Sequence, residues 1–492
     1  MIIYIHIKLE DWHKMICNNL NPKEVFYYFE EISRIPRGSG NEQAVAEYVE
    51  AFAKARGLFV IRDKNNNVFI RRPASSGREN SPAVVLQGHL DMVCEANSNV
   101  AHDFTRDPIS LILDGDILRA DGTTLGADNG VAAAIMLALL DSHSLSLPEL
   151  ECLFTTEEET GLAGMTNFDA SVVKGRMMIN LDSAGEGEAT VSCAGGVRTH
   201  ITFPADKRPL ADEYTAARMK VSGLAGGHSG EDIHLGRTNA IAAAARILLM
   251  ASDETAITLV SVNGGSKDNA IPRECEVVFA ASDLEAAKAA ILREYHNMKL
   301  SLAEEDSGFS VEVSGVSCVT ESISDGMELL RLLNIIPIGV HTMSRGVPGL
   351  VETSSNLGVV KTEEDGIHIT VSSRSSVSTE LDYLLKQIES AAALAGALTV
   401  EHKSRYPGWE FTRGSSLQQL YLDAYRDLFG TEAKIVGIHA GLECGIFKQK
   451  VPDMDIISIG PVIKNLHSPD ETLSVSSLER LYTLLLEMLK RV

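Results

Sequence analysis

The stretch AVVLQGHLDMV, residues 83–93, decides how this chain is read. AVVLQ is a short apolar run that reads as a buried strand, and two metal-type ligands, His89 and Asp91, follow it closely. The same phase recurs along the sequence. LECLF (150–154) precedes Glu158 and Glu159 in FTTEEETG, RMMIN (176–180) precedes Asp182 in INLDS, and DIISI (455–459) precedes His467 in KNLHSPDE. A further carboxylate, Asp128, lies in TLGADNG. In open α/β sheets, ligands collect in the crevice beyond the carboxyl ends of the strands. Two histidines and several carboxylates gathered there can hold a pair of divalent metal ions, and such a pair usually performs hydrolysis.

Taken singly, each segment has an ordinary reading. An HxD pair arises by chance in many chains. A run of Glu is normally a solvated helix start, because Glu complements the positive end of the helix dipole, and ADNG has the composition of an Asx turn. Conjunction favours a site: five segments place ligand-type residues in one chain, and one of them lies near its far end.

That last segment also fixes the organisation. Residues 15–187 alternate helix and strand, with helices expected at 22–35, 41–57 and 128–140 and strands at 83–87, 150–154 and 176–182. From about 188 the order becomes strand-helix-strand-strand-helix, an α+β pattern of the split-βαβ kind, enlarged or doubled. After about 398 the mixed α/β pattern returns. His467 joins the other ligands only if residues 398–492 complete the first domain. The expected fold is therefore α/β. A discontinuous catalytic domain (15–187 and 398–492) is built on a mixed, largely parallel sheet, and an α+β domain (188–397) is inserted into it.

At 492 residues the chain exceeds one typical core, so two or three domains are expected. A formal net charge of −23, with no Lys/Arg cluster, argues against nucleic acid or an anionic membrane as partner. The seven cysteines are dispersed and form no CxxC pair, which disfavours a disulfide framework or a Cys-rich zinc knuckle and favours a reducing compartment. The start, MIIYIHIKLEDWHK, has no basic n-region and is interrupted by His6 and Lys8, unlike a secretory signal. It reads as an upstream start or a short arm before Met15. The best apolar stretch, GVAAAIMLALL (130–140), is too short to span a membrane. A cytoplasmic protein is expected.

Read in order, HLDMV, GADNG, TTEEETG, GGHSGEDIH, DNAIPRE, YPGW, HAGLECGIF, SIGP and HSPDE resemble the aminoacyl-histidine dipeptidases across nearly the whole chain after Met15. These proteins, also called Xaa-His or β-alanyl-histidine dipeptidases, are co-catalytic zinc metallopeptidases. TTEEE departs from the many relatives that carry Asp before the Glu pair. The resemblance implies two divalent ions, zinc first, with cobalt or manganese as alternatives. It implies that Asp128 bridges them, that His89 and Asp182 complete one site, and that Glu159 and His467 complete the other. Asp91 would take the spare imidazole N–H of His89. Glu158 would be the general base acting on a metal-bridging water; from the residues alone, the converse assignment of Glu158 and Glu159 stays open. A cis peptide bond after Asp128 is also implied.

In the inserted domain, His228 of GGHSG would be an oxyanion donor, where a turn histidine is the plain alternative. Asn269, Arg374 and Gly441 match substrate-contact positions, and Arg374 could grip a terminal carboxylate or be an ordinary surface arginine. His439 and Glu443, beside Gly441, are further candidates for touching substrate or metal. The inserted domain is expected to act as lid and dimer surface, giving a homodimer in which His228 serves its own or the neighbouring chain. The expected activity is a metal-dependent dipeptidase of broad or Xaa-His preference acting on small peptides. An amidohydrolase of N-acyl amino acids or γ-glutamyl compounds is the alternative within enzymes. A non-catalytic metal-binding assembly protein is disfavoured, because neither Glu158 nor any ligand is missing.

Overall fold

Strands buried on both faces are continuous apolar runs, and such runs pair in parallel at the centre of α/β sheets. Here Leu150–Thr155, Val84–His89, Met177–Asn180 and Asp455–Ser458 lie side by side in that order, each parallel to the next. The computed structural model describes residues 15–492, so the alternatives for residues 1–14 lie outside the described residues. The chain divides into two compact units.

The first unit holds the residues through Val191, Phe411–Gly437 and Leu442–Val492. Its eight-stranded sheet is mixed: the four central strands are parallel, while Phe59–Arg62 and Val68–Arg72 add an antiparallel margin beside Leu150–Thr155. Asp455–Ser458 is contributed by the C-terminal segment, so the final stretch of chain sits inside the sheet built by the first. The helix Ala127–Asp141 is apolar around its whole circumference and almost entirely buried, as expected for a helix enclosed on all sides. It packs on Val84–His89 and is covered by the helix Lys23–Ser33. Among the described residues, no helix is long and apolar enough to cross a membrane.

The second unit holds Ser192–Glu410 and a four-residue return, Ile438–Gly441. Its main sheet is antiparallel throughout its paired strands, and in three of them alternate residues turn to one core: Ala217, Met219 and Val221, then Val277, Phe279 and Ala281, then Ile367, Ile369 and Val371. Four helices, Ala240–Ala251, Leu284–Lys299, Gly326–Ile335 and Ser378–Leu394, supply the other half of that core. The expected boundaries at 187/188 and 397/398 shift. The chain enters this unit at Ser192, and Thr399–Tyr406, read as part of the first domain, pairs with Gly195–Phe203 in the second. That strand is mostly exposed and polar, so backbone pairing rather than a buried face places it.

Phe279 is wholly buried at the middle of this core. Phe279→Ala should lower stability by about 3–5 kcal/mol, read as a reduced denaturant midpoint for the second unit.

Candidate metal centre

The carboxyl ends of the parallel strands of the first unit converge on a cluster of imidazoles and carboxylates. His89 ends its strand, Asp182 follows Asn180 closely, and Glu158 and Glu159 sit in the turn after Thr155. His467 arrives on the loop between Ile463–Lys464 and Thr472–Ser474, with a positive φ of 61°. Asp128 stands at the middle, and the peptide bond after it is cis.

The two oxygens of Asp128 face two different histidines. Oδ1 lies 3.0 Å from His89 Nε2, and Oδ2 lies 3.2 Å from His467 Nε2. His89 Nε2 is also 3.4 Å from Asp182 Oδ1, and His467 Nε2 is 3.2 Å from Glu159 Oε2. Each set, His89–Asp128–Asp182 and Asp128–Glu159–His467, keeps its ligand atoms within 4.8 Å of one another. That spacing allows bonds of about 2 Å to a common ion. A third grouping, His89 with Glu158 and Glu159, meets the same limit, so proximity does not distinguish the two glutamates. The donor set is hard oxygen plus imidazole, which suits divalent zinc, cobalt or manganese. Glu159 Oε1 is buried without a hydrogen-bond partner, a vacancy in bonding that a cation fits.

The electrostatics say the same. Burial pushes the Asp182 carboxyl up to about 6, with Asp128 and Glu159 adding to the rise against His89. Burial, then Asp182, Glu443 and Glu159, hold Glu158 well above the usual carboxylate range despite the pull of His89. The hydrogen bonds to Asp128 and Glu159 push His467 up to about 10. His89 is raised too: burial opposes its charge, but Asp182, Asp128 and Asp91 outweigh that. Carboxylates outnumber imidazoles in this cluster, and cations balance such a set.

Asp91 does more than the sequence suggests. His89 Nδ1 is nearer the Asp91 backbone carbonyl, at 3.1 Å, than its carboxylate, at 3.4 Å. The carboxylate instead accepts the backbone N–H groups of Glu158 and Glu159, each at 3.2 Å, and the Ser39 hydroxyl at 2.8 Å. It thereby fixes the turn carrying both glutamates.

In the second unit, His228, Arg374 and His439 gather around Gly230, where an added Cβ would meet the His439 carbonyl at 2.6 Å and both Arg374 and His228 at 3.2 Å. The Glu231 N–H donates to His228 Nδ1 at 3.1 Å, so the neutral ring carries its proton on Nε2. Burial and the charge of Arg374 lower the His228 pKa and favour that neutral form. Arg374, far from being a surface residue, is buried; its guanidinium donates to the Tyr406 hydroxyl at 3.0 Å, while its Nε has no partner. Gly441 lies against the Tyr406 ring, where a Cβ would come within 2.9 Å. His439 Nε2 meets the Ser354 hydroxyl at 2.7 Å, and burial with Arg374 lowers its pKa to about 3. Asn269 takes part through its carbonyl, which accepts the Ser229 N–H at 2.8 Å.

A model of the peptidase family M20/M25/M40 matches residues 85–491. The cytosol non-specific dipeptidase of Escherichia coli (strain K12) is 38% identical over 479 residues, covering 96% of this chain and 99% of that protein. The crystal structure of aminoacylhistidine dipeptidase from Vibrio alginolyticus matches with a TM-score of 0.93 at 36% identity, over 98% of this chain and 99% of that one. Aminopeptidase PepT from Bacillus cereus ATCC 10987 shares the fold, with a TM-score of 0.56 at 14% identity over 96% and 98% of the two chains.

Two residues essential to the geometry escaped the sequence reading. Glu471 is buried, and its carboxylate accepts four consecutive backbone N–H groups: Leu125 and Gly126 on Oε2 at 2.8 and 2.9 Å, Ala127 and Asp128 on Oε1 at 2.9 and 3.2 Å. Arg37, equally buried, donates to the carbonyls of Leu90, Asp91 and Gly126. The signal for Glu471 was present in HSPDE; Arg37 offered none. Glu471→Gln replaces one acceptor oxygen with an amide that faces N–H donors. It should weaken divalent-ion binding by roughly 10–100-fold, measured by equilibrium dialysis, while leaving secondary structure unchanged.

Proposed function

The chain belongs to the peptidase family M20/M25/M40, and on that premise we propose that it is a two-zinc dipeptidase of the cytoplasm, with broad or Xaa-His preference. One observation carries the reading: Asp128 divides its two oxygens between the His89–Asp182 and the His467–Glu159 sets. Residues His89, Asp128, Asp182, Glu159 and His467 would hold the ions. Bound there, two divalent ions polarise the scissile carbonyl and acidify a water molecule.

The protein's own groups supply the remaining chemistry. Glu158 takes the proton of the attacking water and passes it to the leaving amine. Its burial favours a group able to hold a proton between those steps. Asp91 keeps the Glu158 backbone in register through the N–H bond at 3.2 Å. His228, with its proton on Nε2, donates to the carbonyl oxygen as charge builds there. Arg374 receives the terminal carboxylate of the peptide; its unpartnered Nε and the Tyr406 hydroxyl bond favour a guanidinium already oriented for an anion. Asn269 and Gly441 complete the substrate contacts, the glycine by admitting the Tyr406 ring.

The names of the Escherichia coli and Vibrio alginolyticus relatives support peptide substrates with two residues. A homodimer through the second unit is part of the same proposal. The edge strand Gly339–Met343 pairs on one side, with Val340 and Met343 exposed, and unpaired strand edges of this kind favour self-association.

Metal analysis with a panel of dipeptides, carnosine included, tests the reading. Hydrolysis of acylated amino acids or γ-glutamyl compounds in preference to dipeptides would overturn it in favour of an amidohydrolase. Glu158→Ala should reduce turnover by about 10²–10⁴ while two metal ions remain bound; equal loss of metal would make Glu158 a ligand. His228→Ala should reduce kcat by about 10²–10³ without displacing metal. Light scattering should give twice the chain mass, and a monomer would remove the dimer.

A further inference from the structure

Beneath the metal centre the first unit buries a row of polar side chains that the reaction leaves unused. Thr155, Gln87, Asn180 and Ser458 lie near the carboxyl ends of the four parallel strands, one on each, in the order of the sheet, and all are fully buried. Gln87 accepts the Asn180 amide N–H at 2.6 Å, and Asn180 Oδ1 accepts the Ser458 hydroxyl and the Asp182 backbone N–H, the latter at 3.3 Å. The row ends on Glu443, the first residue of the helix Glu443–Lys450. Its Oε2 accepts the Gln87 amide at 2.5 Å and the Thr155 hydroxyl at 2.6 Å.

Glu443 is itself wholly buried, and its Oε1 has no hydrogen-bond partner. An ionised carboxylate would leave that oxygen bare, at a large desolvation cost. Its surroundings are already negative. Asp91, Asp128, Glu158, Glu159 and Asp182 share this end of the sheet, and two divalent ions bring four positive charges against those five carboxylates. Burial, reinforced by Asp182 and Asp91, pushes the Glu443 carboxyl up to about 8 against the Thr155 bond and His89.

We propose that Glu443 is a positioning residue that works as an uncharged carboxyl: through Oε2 it anchors Gln87, and through Gln87 and Asn180 it sets the strand ends that carry His89 and Asp182. The proposal rests on reading the neighbouring cluster as the metal centre. Half-satisfied polar networks in low dielectric are costly, so cutting this one at its end should loosen the ligands beside it.

Glu443→Ala, Glu443→Gln and Gln87→Met, each as the full chain, separate the possibilities. The readouts are zinc affinity and stoichiometry by equilibrium dialysis, and kcat and KM on a dipeptide. Glu443→Ala should lower zinc affinity and kcat by roughly 10–100-fold, the size expected of groups that orient metal ligands, with little change in KM. Glu443→Gln keeps the oxygen and removes the ionisable proton, and it should recover both to within about threefold. Gln87→Met, which leaves Glu443 untouched, should reproduce the loss in zinc affinity even if Glu443→Ala does not fold. A Gln variant that fails to fold or is as impaired as Ala would show that the charge is required and overturn the proposal. Wild-type zinc affinity in Glu443→Ala or in Gln87→Met would overturn it as well. Absence of dipeptide hydrolysis in the wild type would count against the proposed activity alone, because the zinc measurements stand without it.

Discussion

One carboxylate, that of Glu471, ties the two ends of the first unit together. Four consecutive N–H groups from Leu125 to Asp128 point at it, and it lies four residues beyond His467 in the sequence. Hydrogen bonds to a charged group contribute about 1.5–3 kcal/mol each when they are well made, and here they converge in a buried place. On the other side of the same turn, Arg37 collects the Gly126 carbonyl together with those of Leu90 and Asp91. The turn that carries Asp128 is thus gripped through its N–H groups by an anion and through a carbonyl by a cation. Both grips draw on backbone that also positions His89 and His467. The placement of Asp128 between two imidazoles depends on this pair of buried charges.

The clusters of ionisable groups in the two units differ in sign of charge. The first concentrates carboxylates until burial and mutual repulsion raise Asp182 and Glu158 above the usual carboxylate range. The second gathers a buried arginine and two imidazoles, and burial together with the charge of Arg374 lowers the pKa of both His228 and His439.

Much of this was legible because parallel strands buried on both faces must be continuous apolar runs, and a ligand after each run is visible as such. His89, Asp182, Glu158, Glu159 and His467 all came from that phase, and the return of the C-terminal segment followed from His467. What stayed hidden was held by the backbone. The partners of Glu471 and Arg37 are peptide groups, which every residue possesses and no composition reveals. Thr399–Tyr406 was assigned to the wrong unit because its side chains are mostly in water, so its pattern of hydropathy says nothing about which sheet its backbone joins. The polar row was written as one hydrophilic residue near the end of each strand, a signal that a search for apolar runs passes over.

The short return Ile438–Gly441 has a consequence for modularity. Ala440 accepts the Ala194 N–H at 3.0 Å, and His439 meets Ser354, so these four residues are stitched into a unit whose main body ended at Glu410. A gene fragment spanning 192–410 would encode the sheet and its helices, with His228 and Arg374, but not His439 beside them. The second unit is consequently no portable cassette. Recombination between relatives that swapped it as one contiguous block would leave a foreign tetrapeptide in its wall.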